Sequence, residues 1–134
     1  MADEVRVPIR SDADVVTARS EARSMGGGLG LSGTDLTLLA TAISEVARNV
    51  TTYAGEGEVR LRVVADGARR GVEVVCADSG PGIADVELAM QDGYTTGNGL
   101  GLGLPGTRRL VDDFDLRTAP GEGTVIRLVK WSRA

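Results

Sequence analysis

Hydrophobic and polar positions divide the chain into short alternating runs and longer helical stripes. In "VRVPI", Val5, Val7 and Ile9 alternate with other residues, which predicts a short strand, and Pro8 suits a sheet edge. "SDADVVTARSEARSM" carries Val15, Val16, Ala18, Ala22 and Met25 at helical spacing, with Ser11 as the expected cap and "GGGLG" as the stop. A second helix is predicted from Thr34 or Asp35 to Tyr53, its apolar stripe formed by Leu36, Leu39, Ala40, Ile43, Ala47 and Val50. "EVRLRVV" and "GVEVVCAD" alternate as two strands, joined by the polar "ADGARRG" as a hairpin. After the breaker "SGPGI" come a short helix near Asp85 to Met90 and a glycine-rich loop. A third main helix follows at "TRRLVDDF", then a strand at "DLRTA", a "GEG" turn and a final strand at "TVIRLVKW". Strands fall in adjacent pairs and helices in groups, so the pattern predicts an α+β domain with helices on one sheet face, not a βαβ series.

Composition narrows the chemistry. At 134 residues the expectation is one domain, 1–134, and 42% apolar with 25% charged residues is ordinary for a soluble globular protein. A net charge of -4 argues against a sequence-independent hold on nucleic acid. There is no histidine, which excludes Ser-His-Asp triads and His-liganded metal sites. The single cysteine, Cys76, allows no internal disulfide and no zinc cluster, and reads as a small buried apolar residue. Every basic residue except Lys130 is arginine. No run is apolar enough to span a bilayer and "MADEVRVPIR" lacks a signal-peptide core, so no membrane association and a cytoplasmic location are expected.

"GNGLGLGLPG", Gly97 to Gly106, contains the letters of a dinucleotide fingerprint at Gly101, Gly103 and Gly106. No strand precedes it, and too few residues follow for further βαβ units, so that reading fails. A P-loop fails too, since no lysine follows the glycines. A mobile linker would explain the glycines but not Pro105 or the helix that begins at once. A glycine run entering a helix start remains a good phosphate cradle, because backbone N–H groups and the positive dipole end meet there. Arg108 and Arg109 are expected in the first helical turn, where they would add charge.

Three further features bear on function. Glu45 and Asn49 in "SEVARN" share one helix face, where a carboxylate and an amide can accept a proton and hold a metal; a solvated flank is the plainer alternative. In "DSGPG", strand parity puts Asp78 on the same face as Val72, Val74 and Cys76. A carboxylate there needs a donor, such as an adenine amino group, or it caps a turn. Gly80 and Gly82 would let backbone approach a flat base. Thr124 shares a face with Ile126 and Leu128 and should look toward the same interior. By the same parity Val75, Arg127, Val129 and Trp131 point the other way, so apolar groups exposed there would offer a surface to a partner or to a second copy in a homodimer.

Taken in order, "EVARN", "DSGPG", "GNGLGLGLPG" and "GEGT" resemble the N box, the two glycine boxes and the final turn of the GHKL ATPase and kinase superfamily. The likeness spans nearly the whole chain and is weakest in the first strand and helix. It implies the Bergerat fold, a two-layer sandwich with a mixed, mainly antiparallel sheet and helices on one face. With no histidine and no additional domain, the chain looks like the small bacterial serine/threonine kinases of partner-switching modules, the switch kinases above all, with the anti-sigma factors close by. The resemblance implies ATP and Mg²⁺ as cofactors. Asp78, Gly80, Gly82 and Thr124 would hold adenine and Asn49 the metal. Gly97, Gly99, Gly101, Gly103, Leu104 and Gly106 would form the lid. Glu45 would be the general base, and Arg108 or Arg109 would neutralise charge on the γ-phosphoryl. The implied partners are a STAS-domain antagonist and a PP2C-type phosphatase, or a sigma factor in the anti-sigma alternative. A nucleotide-binding scaffold without turnover is the remaining alternative, and the presence of both Glu45 and Asn49 speaks against it.

Overall fold

The computed structural model describes residues 4–80 and 103–133. Within them the order is β1 (Val5–Ile9), α1 (Asp12–Gly28), α2 (Gly33–Asn49), a π-helical turn (Val50–Ala54), β2 (Gly57–Asp66), β3 (Arg69–Asp78), α3 (Gly103–Leu110), β4 (Asp113–Thr118) and β5 (Thr124–Trp131). The five strands form one sheet in the order β1-β2-β3-β5-β4. Every described pairing is antiparallel, so the sheet is more uniform than the mixed one implied by the resemblance. The expected helix near Asp85 to Met90 lies outside the described residues.

Helices and sheet meet over a single core. From the sheet come Val7, Ile9, Val59, Leu61, Val72, Val74, Cys76, Ile126 and Leu128, alternating along each strand as one inward face requires. From α2 come Leu39, Ile43, Val46 and Ala47, continued by Val50, at the spacing of an amphipathic stripe. The Ser32 hydroxyl caps α2 by accepting from the Asp35 N–H at 3.1 Å, so this helix starts slightly earlier than its apolar stripe suggests. Ser11 occupies the cap position of α1 but makes no side-chain capping bond.

Three expectations are corrected. α1 does end within "GGGLG", but not at its first glycine: Gly26 to Gly28 are its last residues, and Gly30, with φ of +82°, is the left-handed residue beyond it. A Cβ on Gly26 would lie 2.6 Å from Leu31 Cδ1 and 2.8 Å from Leu36 Cδ2, so the glycine admits close packing of the next segment. The third helix starts at Gly103, inside the glycine run, because Pro105 is tolerated in a first turn whose N–H groups need no intrahelical acceptor. It ends at Leu110, which puts Arg108 and Arg109 in its last turn, not its first.

The third correction concerns the open sheet face. Val129 is fully buried and Trp131 is 9% exposed, so neither is the bare apolar group that parity suggested. The Arg69 guanidinium lies 4.3 Å from the Trp131 ring centroid, and the indole N–H donates to Asp113 Oδ2 at 2.9 Å. The register partners of Val129 are Glu73 and Asp113, which belong to a network of charges on that face. Only Val125, of the residues on this face, is an exposed large hydrophobic group.

Candidate functional site

Four strands end in one row. Gly57 pairs with Asp78, Asp78 with Thr124, and Thr124 with Thr118. Parity places Asp78 on the helix-covered face beyond Cys76, at the last position of β3. Its Oδ1 accepts from the Gly80 N–H at 2.9 Å. Among the described residues no cation pairs with this carboxylate. It therefore stands half-buried with acceptor capacity toward the sheet end.

Close backbone contacts build the row. Gly123 has φ of +80°, and a Cβ there would overlap the Asp78 carbonyl oxygen, so this turn accepts glycine for two independent reasons. A Cβ on Gly80 would meet Ala54 Cβ at 2.6 Å, and one on Gly57 would meet Val50 Cγ1 at 2.8 Å. Both contacts come from the π-helical turn that continues α2, and wide turns of this kind are frequent at functional sites. Gly80 thus serves the packing of that turn on the strand end. The turn brings the C-terminal end of α2, with Glu45 and Asn49, over the same end of the sheet.

Asn49 is the last residue of α2 and is partly exposed. Glu45 lies one turn earlier with its side chain 14% exposed, and its Oε1 accepts from Arg48 at 3.4 Å. Thr124 is the first residue of β5. Its hydroxyl oxygen lies 3.0 Å from that of Thr118, and Thr118 Oγ1 donates to the Gly123 carbonyl at 2.9 Å. With its proton on Gly123, the Thr118 hydroxyl receives the Thr124 proton, leaving Thr124 with lone pairs to offer. Sequence reading missed Thr118; the period-2 alternation of "DLRT" opposite "GEGT" carried the signal, but only with the β4–β5 register in hand.

The lid residues divide. Gly82, Gly97, Gly99 and Gly101 lie outside the described residues. Gly103, Leu104 and Gly106 lie in α3, and the Leu104 side chain is buried in the core. α3 packs against α2, so the far end of the glycine run is anchored beside the helix of Glu45 and Asn49. Arg108 and Arg109 are exposed in the last turn, away from the glycine-rich start of the helix.

The donor set suits a nucleotide. A carboxylate at a glycine-walled strand end takes an amino donor of a base. Among the described residues no group of three or more acidic or cysteine side chains could hold a metal. Mg²⁺ commonly keeps several waters and takes few protein ligands beside phosphate oxygens, so the single Asn49 amide fits that ion.

Residues 9–130 match the family described as histidine kinase-like ATPase domain. The chain is 44% identical over 133 residues to the serine/threonine-protein kinase RsbT of Bacillus subtilis (strain 168), covering 99% of this chain and 100% of that one. It is 31% identical over 97 residues to the anti-sigma F factor of Thermoanaerobacter sp. (strain X514), covering 68% of this chain and 66% of that one. In fold it resembles the crystal structure of the RsbU and RsbW domains of a Mycobacterium tuberculosis protein, with a TM-score of 0.64 at 18% identity. That match covers 100% of this chain and 33% of the other.

Proposed function

From the premise that the chain belongs to the histidine kinase-like ATPase domain family and is a serine/threonine protein kinase, we propose that it is the switch kinase of a bacterial partner-switching module. It passes the γ-phosphoryl of ATP to a serine or threonine of a STAS-domain antagonist. Once released from that antagonist, it binds and activates a PP2C-type phosphatase. The observation that carries the reading is the full-length likeness to a serine/threonine kinase, joined to the Asp78–Thr124 strand end beneath the helix of Glu45 and Asn49.

Each residue has a chemical part. Asp78 accepts from the adenine amino group, and Thr124, held by Thr118, adds its hydroxyl to the same network. Asn49 would hold Mg²⁺ through its side-chain oxygen, and the ion would supply charge neutralisation at the phosphates. Glu45 accepts the proton of the acceptor hydroxyl, and its ion pair with Arg48 holds it on the outer flank of α2. The glycine run from Gly97 to Gly106 serves the phosphates, and Arg108 or Arg109 adds charge to the same groups. Catalysis of this kind rests on positioning and charge stabilisation and needs no histidine.

The test is transfer of labelled γ-phosphate from ATP to a candidate STAS protein. Glu45→Ala is expected to slow transfer by about 10²- to 10⁴-fold while leaving ATP affinity unchanged. Full activity in that variant would remove Glu45 from the role of base. A second reading, a kinase that also sequesters a sigma factor, is favoured by the anti-sigma F likeness over 97 residues. Capture of a sigma subunit by the purified chain would select it; capture of STAS proteins and a phosphatase selects the switch kinase.

A further inference from the structure

Lys130, the only lysine in the chain, is 4% exposed and lies far from the Asp78 end of its sheet. It occupies the inward face of β5, opposite Val72. Its Nζ donates to the carbonyl of Leu110, the last residue of α3, at 3.1 Å. The same Nζ lies 3.6 Å from Oδ1 of Asp35, in the first turn of α2. Each charge sits at the helix end that favours it: an anion at the N-terminus of α2 and a cation at the C-terminus of α3. Arg133 extends the cluster, with contacts of 3.7 Å to Asp35 Oδ2 and 2.9 Å to Asp112 Oδ1. Asp112 Oδ2 in turn accepts from the Trp131 N–H at 2.8 Å.

The cluster joins α2 and α3 at the ends away from Asn49 and Gly103. α2 runs from Asp35 to Glu45 and Asn49; α3 runs back from Leu110 to Gly103, where the glycine run enters it. A buried ion pair is weak evidence for stability, because desolvation offsets most of the attraction; the role left for it is to hold geometry, which is testable here. We infer that Lys130 is a positioning residue for the phosphate half of the site: by tying Asp35 to Leu110 it sets the spacing of α2 and α3, and so of Glu45 and Asn49 relative to the glycine-led start of α3 at Gly103 to Gly106. The adenine half, built on the ends of β2, β3, β4 and β5, does not depend on this tie. The inference rests on the ATP reading above.

The test separates the two halves. Lys130→Met alone leaves half-buried Asp35 with only the longer contact to exposed Arg133 and costs stability, so the informative protein is the full chain carrying Lys130→Met with Asp35→Leu, which removes both charges. Expected are a melting temperature close to wild type, adenosine affinity unchanged, and Mg·ATP affinity weakened about tenfold or more, with phosphate transfer slowed at least as much. A double variant that binds adenosine and Mg·ATP as wild type does overturns the inference, as does one that loses both in equal proportion. If the double variant melts early, Asp35→Asn, which keeps the bond from Lys130 to Leu110, is expected to weaken Mg·ATP but not adenosine; no such split overturns the inference. Wild-type protein that binds neither ligand overturns the ATP reading together with this one, whereas wild-type protein that binds both isolates the role of Lys130.

Discussion

Glu73 and Asp78 are carboxylates on one strand, on opposite faces of one sheet, and they have opposite surroundings. Glu73 is 5% exposed and takes two arginines, Arg62 Nε at 2.6 Å and Arg127 Nε at 2.7 Å; Arg127 also reaches Asp115 at 3.2 Å. Burial alone pushes the Glu73 carboxyl up, but the hydrogen bonds and charges of Arg62 and Arg127 outweigh it and hold the group below its ordinary range. Asp78 has a single backbone donor, Gly80, and no cation among the described residues. A carboxylate whose acceptor capacity is filled by arginine is a structural group. One left with unfilled capacity at a glycine-walled strand end can take a donor from a ligand, the part proposed for Asp78.

The comparison is sharpest at Asp78→Asn. With Gly80 N–H on one oxygen and, on the proposed reading, an adenine amino group on the other, an amide must turn its NH₂ toward one of two donors. ATP affinity is expected to fall about 10- to 100-fold, as a lost and opposed hydrogen bond predicts, with the melting temperature unchanged. Titration calorimetry checks it, and wild-type affinity in the variant would break the contrast between the two carboxylates.

Glu73→Gln should do the reverse. It weakens two charge-assisted bonds, and because Arg62 and Arg127 can turn to water the expected loss is about 1–3 kcal/mol of stability, with ATP affinity unchanged. The pH dependence has a definite sign. A carboxyl held low in the folded state contributes stability that is present above its unfolded value, about 4.3, and is lost as pH falls through its folded value. Between those two values stability to denaturant should therefore decline more steeply with falling pH for wild type than for Glu73→Gln. Equal slopes would mean that the arginines do not hold the Glu73 charge.

Much of this was readable in the sequence, and the gaps have physical causes. The order of the described elements and the α2 stripe follow from periodicity, and the inward placement of Asp78 follows from parity, because side chains alternate strictly along a strand. Parity tells which face a residue takes, not what lies over it. Val129 and Trp131 take the face that parity gives them but are not bare: Arg69 and Asp113 engage the Trp131 ring, and Val129 lies in register between Glu73 and Asp113, through pairings of β3, β4 and β5 that no local pattern encodes. Propensity also fails at glycine. Gly26 to Gly28 are helical because Leu31 and Leu36 pack onto Gly26, and Gly103 and Gly106 are helical because Leu104 is buried behind them. The Thr118–Thr124 bond and the Lys130 tie join residues distant in the chain, and both needed the sheet order to be seen.

Cys76 gives the finest discrimination, because it lies on β3 between the two carboxylates and can report on both. Its thiol is buried against the Val46 carbonyl, with Sγ 3.7 Å from that oxygen. Burial, with a smaller contribution from the Asp78 charge, pushes the thiol up to about 12, so native protein at neutral pH presents neither access nor thiolate. Labelling by a thiol reagent then proceeds only through opening of the core, and its rate follows the open population when opening is fast. Glu73→Gln raises that population, so Cys76 should label faster in proportion to the stability lost. Asp78→Asn should leave the rate within about twofold of wild type, the smallest change expected among these variants. Faster labelling in Asp78→Asn would mean that this carboxylate, too, supports the fold, and the division between a structural and a ligand-seeking carboxylate on β3 would fail.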